Sequence, residues 1–328
     1  MEAMASGQFR PWGQWLSGLA ACLLVLSGCD VRSLSESGTS VDVTEVRTDS
    51  RSDGQPRITD VPGSELEVYY FDVGQGDATL LAGPDFTILI DAGRHNRREV
   101  VPYLQQAGVE SIDLLIGTHP HADHIGQFPQ VLESFVVQDV WLCGNSSNTL
   151  TFARTVDAIA ESGAGYHEPR AGEAYRIGSS YIEVLHPTEL TSNLNDSSVS
   201  VRITFGEIAF LFTGDAEENG EWEMVERGMP LNAQILKMGH HGSRTSSHSG
   251  FLGAVRPKVA IYSCGIDNSY GHPHQEALDR VHGMGVEVFG TDRHGTIQVV
   301  TDGKHFEVYT ERGEQRIARQ PGEPALTR

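Results

Sequence analysis

From residue 66 onward, short apolar runs alternate with polar breaks, and the period of each run predicts its element. Residues 67–71, 79–81 and 86–90 are short and rich in β-branched and aromatic side chains, and they read as strands. The Gly-rich turn Gly74-Gln75-Gly76-Asp77 separates the first two. Ile112, Leu114, Leu115 and Ile116 form a run with the look of a buried strand. Further strands are expected at Val184, at 199–205, where alternation is clear, and at 208–212, with short buried ones at Ile235, 259–262 and 286–289. Helical spacing is expected at 97–106, 151–161, 217–227 and 274–281. Strands alternating with helices argue for an α/β architecture with helices packed on sheet faces.

The N-terminal region breaks this pattern. Residues 15–28 are apolar but too short to span a bilayer with ordinary flanks. They end in Leu26-Ser27-Gly28-Cys29, which resembles a bacterial lipoprotein signal with Cys29 as the lipidated residue. An ordinary cleaved signal peptide has the same main consequence, a mature chain outside the cytoplasm. Asp30, by resemblance to Gram-negative lipoproteins, implies inner-membrane retention. Residues 30–64, rich in Ser, Thr, Asp, Gly and Arg, read as a flexible tether, and the last residues as a frayed tail. The expected organisation is a signal at 1–28, a tether at 29–64, one domain at 65–312 and a tail at 313–328. Cys143 and Cys264 either pair or sit apart as small buried residues.

Composition supports a sizeable core, with 39% hydrophobic and 8% aromatic residues in 328. The formal charge of −20 is strongly acidic, and Glu2 and Arg10, the charges before residue 29, cancel. A basic footprint of the kind nucleic-acid binders carry is missing. A polyanionic substrate would therefore have to be held by metal ions and a few local cations.

The chemistry concentrates in His119-Pro120-His121-Ala122-Asp123-His124, directly after the strand at 112–116. Three imidazoles and a carboxylate in one short turn are ligands for zinc, manganese or iron, dense enough for two ions. Other strand ends add Asp215 after Phe212-Thr213-Gly214, the pair His240-His241 after Lys237-Met238-Gly239, and His272 and His274 in YGHPH. Singly each has a plain structural role: Asp215 as a helix cap, His272 as a core histidine, Gly74 and Gly76 as turn formers. Lys237 reads as a strand-end residue that extends its ammonium to solvent, and His95, His167, His282, His294 and His305 as surface or structural.

Taken together, DVGQGDATLL (72–81), THPHADHIG (118–126), NDSSVSVRITFG (195–206), FLFTGDAE (210–217), LKMGHHGSRTSS (236–247), YGHPH (270–274) and GTDRHGTI (290–297) resemble the metallo-β-lactamase-fold hydrolases. More narrowly they are similar to the C-terminal soluble domain of the ComEC/Rec2 competence proteins. The resemblance implies a four-layer αβ/βα sandwich with its metal site at one edge, between two sheets. It implies that His119 and His121 hold one metal ion, Asp123 and His124 the other, and that Asp215 bridges them. Of the histidine pair, His241 is expected as a ligand and His240 to face substrate, with the reverse open. The first ion's remaining ligand is either His186, nine residues upstream of Asn195-Asp196, or Asp196 itself. Asp72, Asp77 and Asp91 are the expected acceptors for the outer ring nitrogens.

Two divalent ions, Zn²⁺ or Mn²⁺, would activate a water and clamp an in-line displacement at a phosphodiester. Asp123, His240 and His272 are the expected catalytic residues, and Gln75, Ser243 and Arg244 the substrate contacts. The resulting expectation is an extracytoplasmic, lipid-anchored phosphodiesterase or nuclease, with DNA as substrate and a separate DNA-uptake channel as partner. The competing expectations are a phosphoesterase on a non-nucleic substrate such as phosphorylcholine, and a non-catalytic binding lipoprotein retaining the fold.

Overall fold

A computed structural model describes residues 65–312. The expected signal (1–28), tether (29–64), tail (313–328) and Cys29 lie outside the described residues.

In chain order the elements are β1 (Leu66–Tyr70), β2 (Thr79–Ala82), β3 (Thr87–Ile90), α1 (Val100–Gln106), β4 (Ser111–Gly117), α2 (Phe128–Ser134), β5 (Val136–Leu142), α3 (Leu150–Ser162), β6 (Gly165–His167), β7 (Ala174–Ile177) and β8 (Ser180–His186). The second half continues with β9 (Ser200–Phe205), β10 (Ile208–Phe212), α4 (Glu218–Glu226), β11 (Ile235–Lys237), α5 (Ser249–Val255), β12 (Val259–Tyr262), α6 (Gln275–His282), β13 (Glu287–Gly290), α7 (Thr291–His294), β14 (Ile297–Thr301) and β15 (Phe306–Thr310). They build an eight-stranded sheet in the order β15-β14-β1-β2-β3-β4-β5-β6 and a seven-stranded sheet in the order β13-β12-β11-β10-β9-β8-β7.

The period-2 alternation of the strands decides the layers. In β1, Leu66, Val68 and Tyr70 point into a core between the sheets, where they meet Val201, Ile203 and Phe205 of β9 and Phe210 and Phe212 of β10. The opposite face of the first sheet, through Leu80, Leu89, Ile112 and Leu115, packs on Val100 and Leu104 of α1 and Phe128 and Val131 of α2. The outer face of the second, through Leu211, Leu236 and Ala260, packs on Met224 of α4, Leu252 and Val255 of α5 and Leu278 of α6. The result is the four-layer α/β/β/α sandwich implied by the sequence resemblance. No helix among the described residues is long and apolar enough to cross a membrane.

In each sheet a run of strands is parallel: β3, β4, β5 and β6 in the first, β10, β11, β12 and β13 in the second. Loops at the carboxyl ends of such strands are where α/β folds place ligands. Here those loops carry Asp91 after β3, residues 118–124 after β4, Asp215 after β10 and His240-His241 after β11. Cys143 and Cys264 are both buried and unpaired, the second of the two alternatives the sequence left open.

Candidate metal centre

The β10 loop and the 74–77 turn each come close to the β4 loop because each has a glycine at the contact. Gly214 takes φ +53°, and a Cβ there would lie 2.7 Å from that of Thr118 and 2.9 Å from that of Ser198. Gly76, at φ +151°, lets the 74–77 turn lie against the ligand turn, since its Cβ would fall 2.5 Å from the Asp123 carbonyl oxygen. Two backbones can therefore approach closely, and a side chain at either position would separate them.

Two groups of side chains converge at this edge. Asp77, His124, Asp215 and His241 are all buried, and each offers an atom within 4.8 Å of the others. His119, His121 and Asp215 form a second group under the same condition. Asp215 is common to both. His119 Nε2 and His121 Nδ1 lie 2.9 Å apart, and His119 Nε2 is 3.7 Å from Asp215 Oδ2. Around the other group, Asp215 Oδ2 is 3.3 Å from His124 Nε2 and 3.6 Å from His241 Nε2. His124 Nε2, His241 Nε2 and Asp215 Oδ1 are buried with no hydrogen-bond partner. Orphaned buried polar atoms are costly unless something satisfies them. Imidazole nitrogen and carboxylate oxygen are the donor set that divalent cations take, so these residues fit metal ions.

The outer ring nitrogens are held. His124 Nδ1 sits 2.8 Å from Asp91 Oδ2, and Asp91 in turn accepts from the Thr118 N–H at 2.9 Å and from its hydroxyl. Asp91 does this from φ 59°, in the left-handed region that residues other than glycine seldom enter, aspartate more readily than most. His241 Nδ1 is 3.0 Å from the Ser263 carbonyl and 3.5 Å from Asp77 Oδ1. His240 and His241 both have positive φ, 48° and 57°, so the chain turns sharply to aim His241 inward. Asp72, the third expected acceptor, instead faces Arg312 and the Gly74 N–H.

Electrostatics reflect the same crowding. Burial opposes the charge on His124, but Asp215 and Asp91 outweigh it and raise its pKa well above the ordinary value. Burial likewise opposes charge on His241, and Asp215 and Asp77 lift its pKa to about 10. Asp215 is held well below the usual carboxylate range despite its burial, by His124 and His241. His119 goes the other way: burial and then the nearby His124 push it well below its usual value. The carboxylates thus draw positive charge into the site, which metal ions would supply.

Several expected residues stand elsewhere. Asp196 does not join either group: its Oδ1 accepts the Glu217 and Gly220 N–H groups at 2.9 and 3.3 Å, and its Oδ2 the Asn193 and Asn219 amides at 3.1 and 3.3 Å. A carboxylate so occupied anchors the start of α4. His186 is buried against the Asp196 carbonyl and lies outside both groups as well. The outer nitrogen of His119, Nδ1, lies 3.2 Å from the Thr118 hydroxyl and 3.3 Å from that of Ser198, which also accepts the Asp215 N–H at 3.1 Å. Lys237, expected to reach solvent, is buried and donates to Asp77 Oδ2 at 2.8 Å.

His241, rather than His240, belongs to the four-residue group. His240 lies farther out, with Nε2 3.8 Å from Asp215 Oδ2 and Nδ1 3.2 Å from Glu217 Oε1. Asp123 Oδ2 is 3.6 Å from His241 Nε2. His272 packs on both His240 and His241, and burial followed by those two neighbours lowers its pKa to about 4. Gln75 accepts from the Gly265 N–H and so ties the 74–77 turn to the loop after β12. Ser243 is buried and accepts from the Thr245 N–H and hydroxyl. The Arg244 guanidinium is exposed, 3.4 Å from the equally exposed Glu276.

The Asp91 contact yields a direct expectation. Asp91→Asn keeps the shape but replaces an anionic acceptor, and metal affinity should fall about 10–100-fold. Competition titration with a chromogenic chelator measures this, and an unchanged affinity would mean that Asp91 does not orient His124.

Residues 71–266 match the Metallo-beta-lactamase superfamily. The chain is 31% identical to ComE operon protein 3 of Bacillus subtilis over 255 residues, 72% of this chain and 33% of that protein. It is 33% identical to competence protein ComA of Neisseria gonorrhoeae, over 73% of this chain and 33% of that one. It is 30% identical to recombination protein 2 of Haemophilus influenzae, over 71% and 28%. The chain therefore spans about a third of the length of these curated relatives. Among solved structures, Igni18, a metallo hydrolase from Ignicoccus hospitalis, shares the fold with a TM-score of 0.51 at 15% identity, over 71% of this chain and 98% of that one. With a family match across residues 71–266 and the four-layer architecture in place, the chain belongs to the metallo-beta-lactamase superfamily, as a metal-dependent hydrolase fold resembling the ComEC/Rec2 competence proteins.

Proposed function

We propose that this chain is an extracytoplasmic phosphodiesterase that cleaves DNA at a dinuclear metal centre. The observation that carries the reading is the orphaned set His124 Nε2, His241 Nε2 and Asp215 Oδ1, buried around one carboxylate shared by two ligand groups. His119, His121 and Asp215 would hold one ion. His124, His241, Asp123 and Asp215 would hold the other. Asp77 faces Nδ1 of His241, the nitrogen turned away from Asp215, while Asp123 faces Nε2, so Asp77 orients the ring and Asp123 is the better ligand. When bound, divalent ions such as Zn²⁺ or Mn²⁺ acidify a water and neutralise phosphoryl oxygens.

The remaining residues act on the substrate. His240 has Nδ1 held by Glu217 and Thr245, which leaves Nε2 at the open side of Asp215 to protonate the leaving oxygen. His272, neutral at physiological pH, offers an N–H to a phosphoryl oxygen without adding charge. DNA as substrate is supported by the likeness to a competence protein and a recombination protein. The lipid-modified Cys29, the outward-facing location and a separate DNA-uptake channel as partner remain part of this reading on the sequence pattern.

The test is hydrolysis of single- and double-stranded DNA and of bis(p-nitrophenyl) phosphate, with Mn²⁺ or Zn²⁺, before and after chelation. DNA cleavage that disappears with chelator and in Asp123→Ala is the expected result. Cleavage of the small diester alone would move the substrate to a non-nucleic phosphoester, which the charge of −20 would suit.

A further inference from the structure

The loop between β12 and α6 carries an aromatic side chain that neither the fold nor the metal centre uses. Tyr270 is 54% exposed, yet its ring lies nearly parallel to His272, with centroids 5.6 Å apart and 21° between planes. His272 in turn lies over His241, at 5.9 Å and 28°. Three rings therefore stack outward from a proposed metal ligand to solvent. Tyr270 is covered on one side by His272, so its exposure belongs to the other side and the edge. Ile266, 64% exposed on the same loop, adds apolar surface.

This loop is held in shape. The Asn268 amide donates to the Gly265 carbonyl at 2.9 Å and to the His272 carbonyl, while its Oδ1 accepts the N–H groups of Tyr270 and His272 at 3.2 and 3.0 Å. One side chain thus fixes both ends of the turn that presents the ring. Gln75, accepting from the Gly265 N–H, ties the base of the loop to the first sheet. A rigid, outward-facing aromatic ring loses little entropy when a flat partner covers it. An isolated exposed Tyr needs no explanation. A ring stacked in series with two site histidines, on a loop whose backbone Asn268 holds with four hydrogen bonds, does.

We propose that Tyr270 is a stacking platform for the unpaired base of a nucleotide next to the cleaved phosphate, so that the site selects single-stranded nucleic acid. The inference rests on the phosphodiesterase reading and narrows its substrate class. Stacking on an aromatic side chain is available to every base, so the selectivity is for a base as such and not for a sequence. It also supplies affinity without cationic surface, which fits an acidic chain. Bases inside a duplex are already stacked and cannot reach the ring without unpairing.

The test compares cleavage of a thymidine oligonucleotide with cleavage of an oligonucleotide of equal length built from abasic residues, by the full chain loaded with Mn²⁺. The wild type should prefer the base-bearing strand by about 10-fold or more in kcat/KM, carried by KM. Tyr270→Leu should bring that preference close to unity, and Tyr270→Phe should keep it. Retention of the preference in Tyr270→Leu overturns the proposal, as does a wild type indifferent to the bases; both leave the nuclease reading standing. Failure of the wild type to cleave either strand overturns the nuclease reading, and the stacking site with it.

Discussion

Asp215→Ala is expected to lower hydrolysis by more than about 100-fold and to loosen both metal ions together. The reason is its shared position: Asp215 Oδ2 lies 3.7 Å from His119 Nε2 on one side and 3.3 Å from His124 Nε2 on the other. Losing a residue that merely orients a ligand costs 10–100-fold, so losing one that joins two groups should cost more. The variant also leaves His119, His124 and His241 facing one another without the anion between them. Like-charged neighbours then favour neutral rings, so the apo protein should fold while binding metal poorly. Wild-type turnover in Asp215→Ala, assayed on a chromogenic diester across a range of metal concentrations, would remove the shared-carboxylate centre from consideration.

The second large effect concerns stability. Lys237→Ala should destabilise the metal-free protein by about 3–5 kcal/mol, because it strands the buried Asp77 carboxylate. Lys237 Nζ and Asp77 Oδ2 are 2.8 Å apart with both side chains nearly enclosed. Lys237, then His241, hold Asp77 well below the usual carboxylate range against the pull of burial. Chemical denaturation measures the loss. The double variant Asp77→Asn with Lys237→Met should recover a large part of it, since removing both charges removes the stranded one. A loss below about 1 kcal/mol in the single variant would mean that water reaches Asp77 and the pair is not structural.

What the sequence made legible follows from the range of each interaction. The H-x-H-x-D-H turn is local, and its position after an apolar run shows it at a strand end. The strand at 199–205 alternates and that at 208–212 is a continuous apolar run, and the structure places them as β9 and β10 at the centre of the second sheet. The hairpin of β14 and β15 is absent from the expected elements, although Asp302-Gly303 between two alternating runs is a short-range signal for it. Helix α2 and strand β5, within 128–142, are also absent: seven residues give α2 barely two turns, and β5 mixes alternation with a continuous buried run. The contacts the sequence does not show are long-range. Lys237 meets Asp77 from the other sheet, and nothing near either residue in sequence reports that contact. Asp196 sits in the Asn-Asp motif of the resemblance, but the backbone N–H groups that claim it belong to α4, more than twenty residues later. Ser198, which touches both His119 and the Asp215 backbone, stands in the same motif and was hidden by the more obvious ligand types beside it.

The most direct test of the central claim is anomalous scattering from crystals of the protein grown with Mn²⁺ or Zn²⁺. Two peaks should flank Asp215, one beside His119 and His121, the other beside His124 and His241. A single peak, or metal bound away from Asp215, would contradict a dinuclear centre built on that residue.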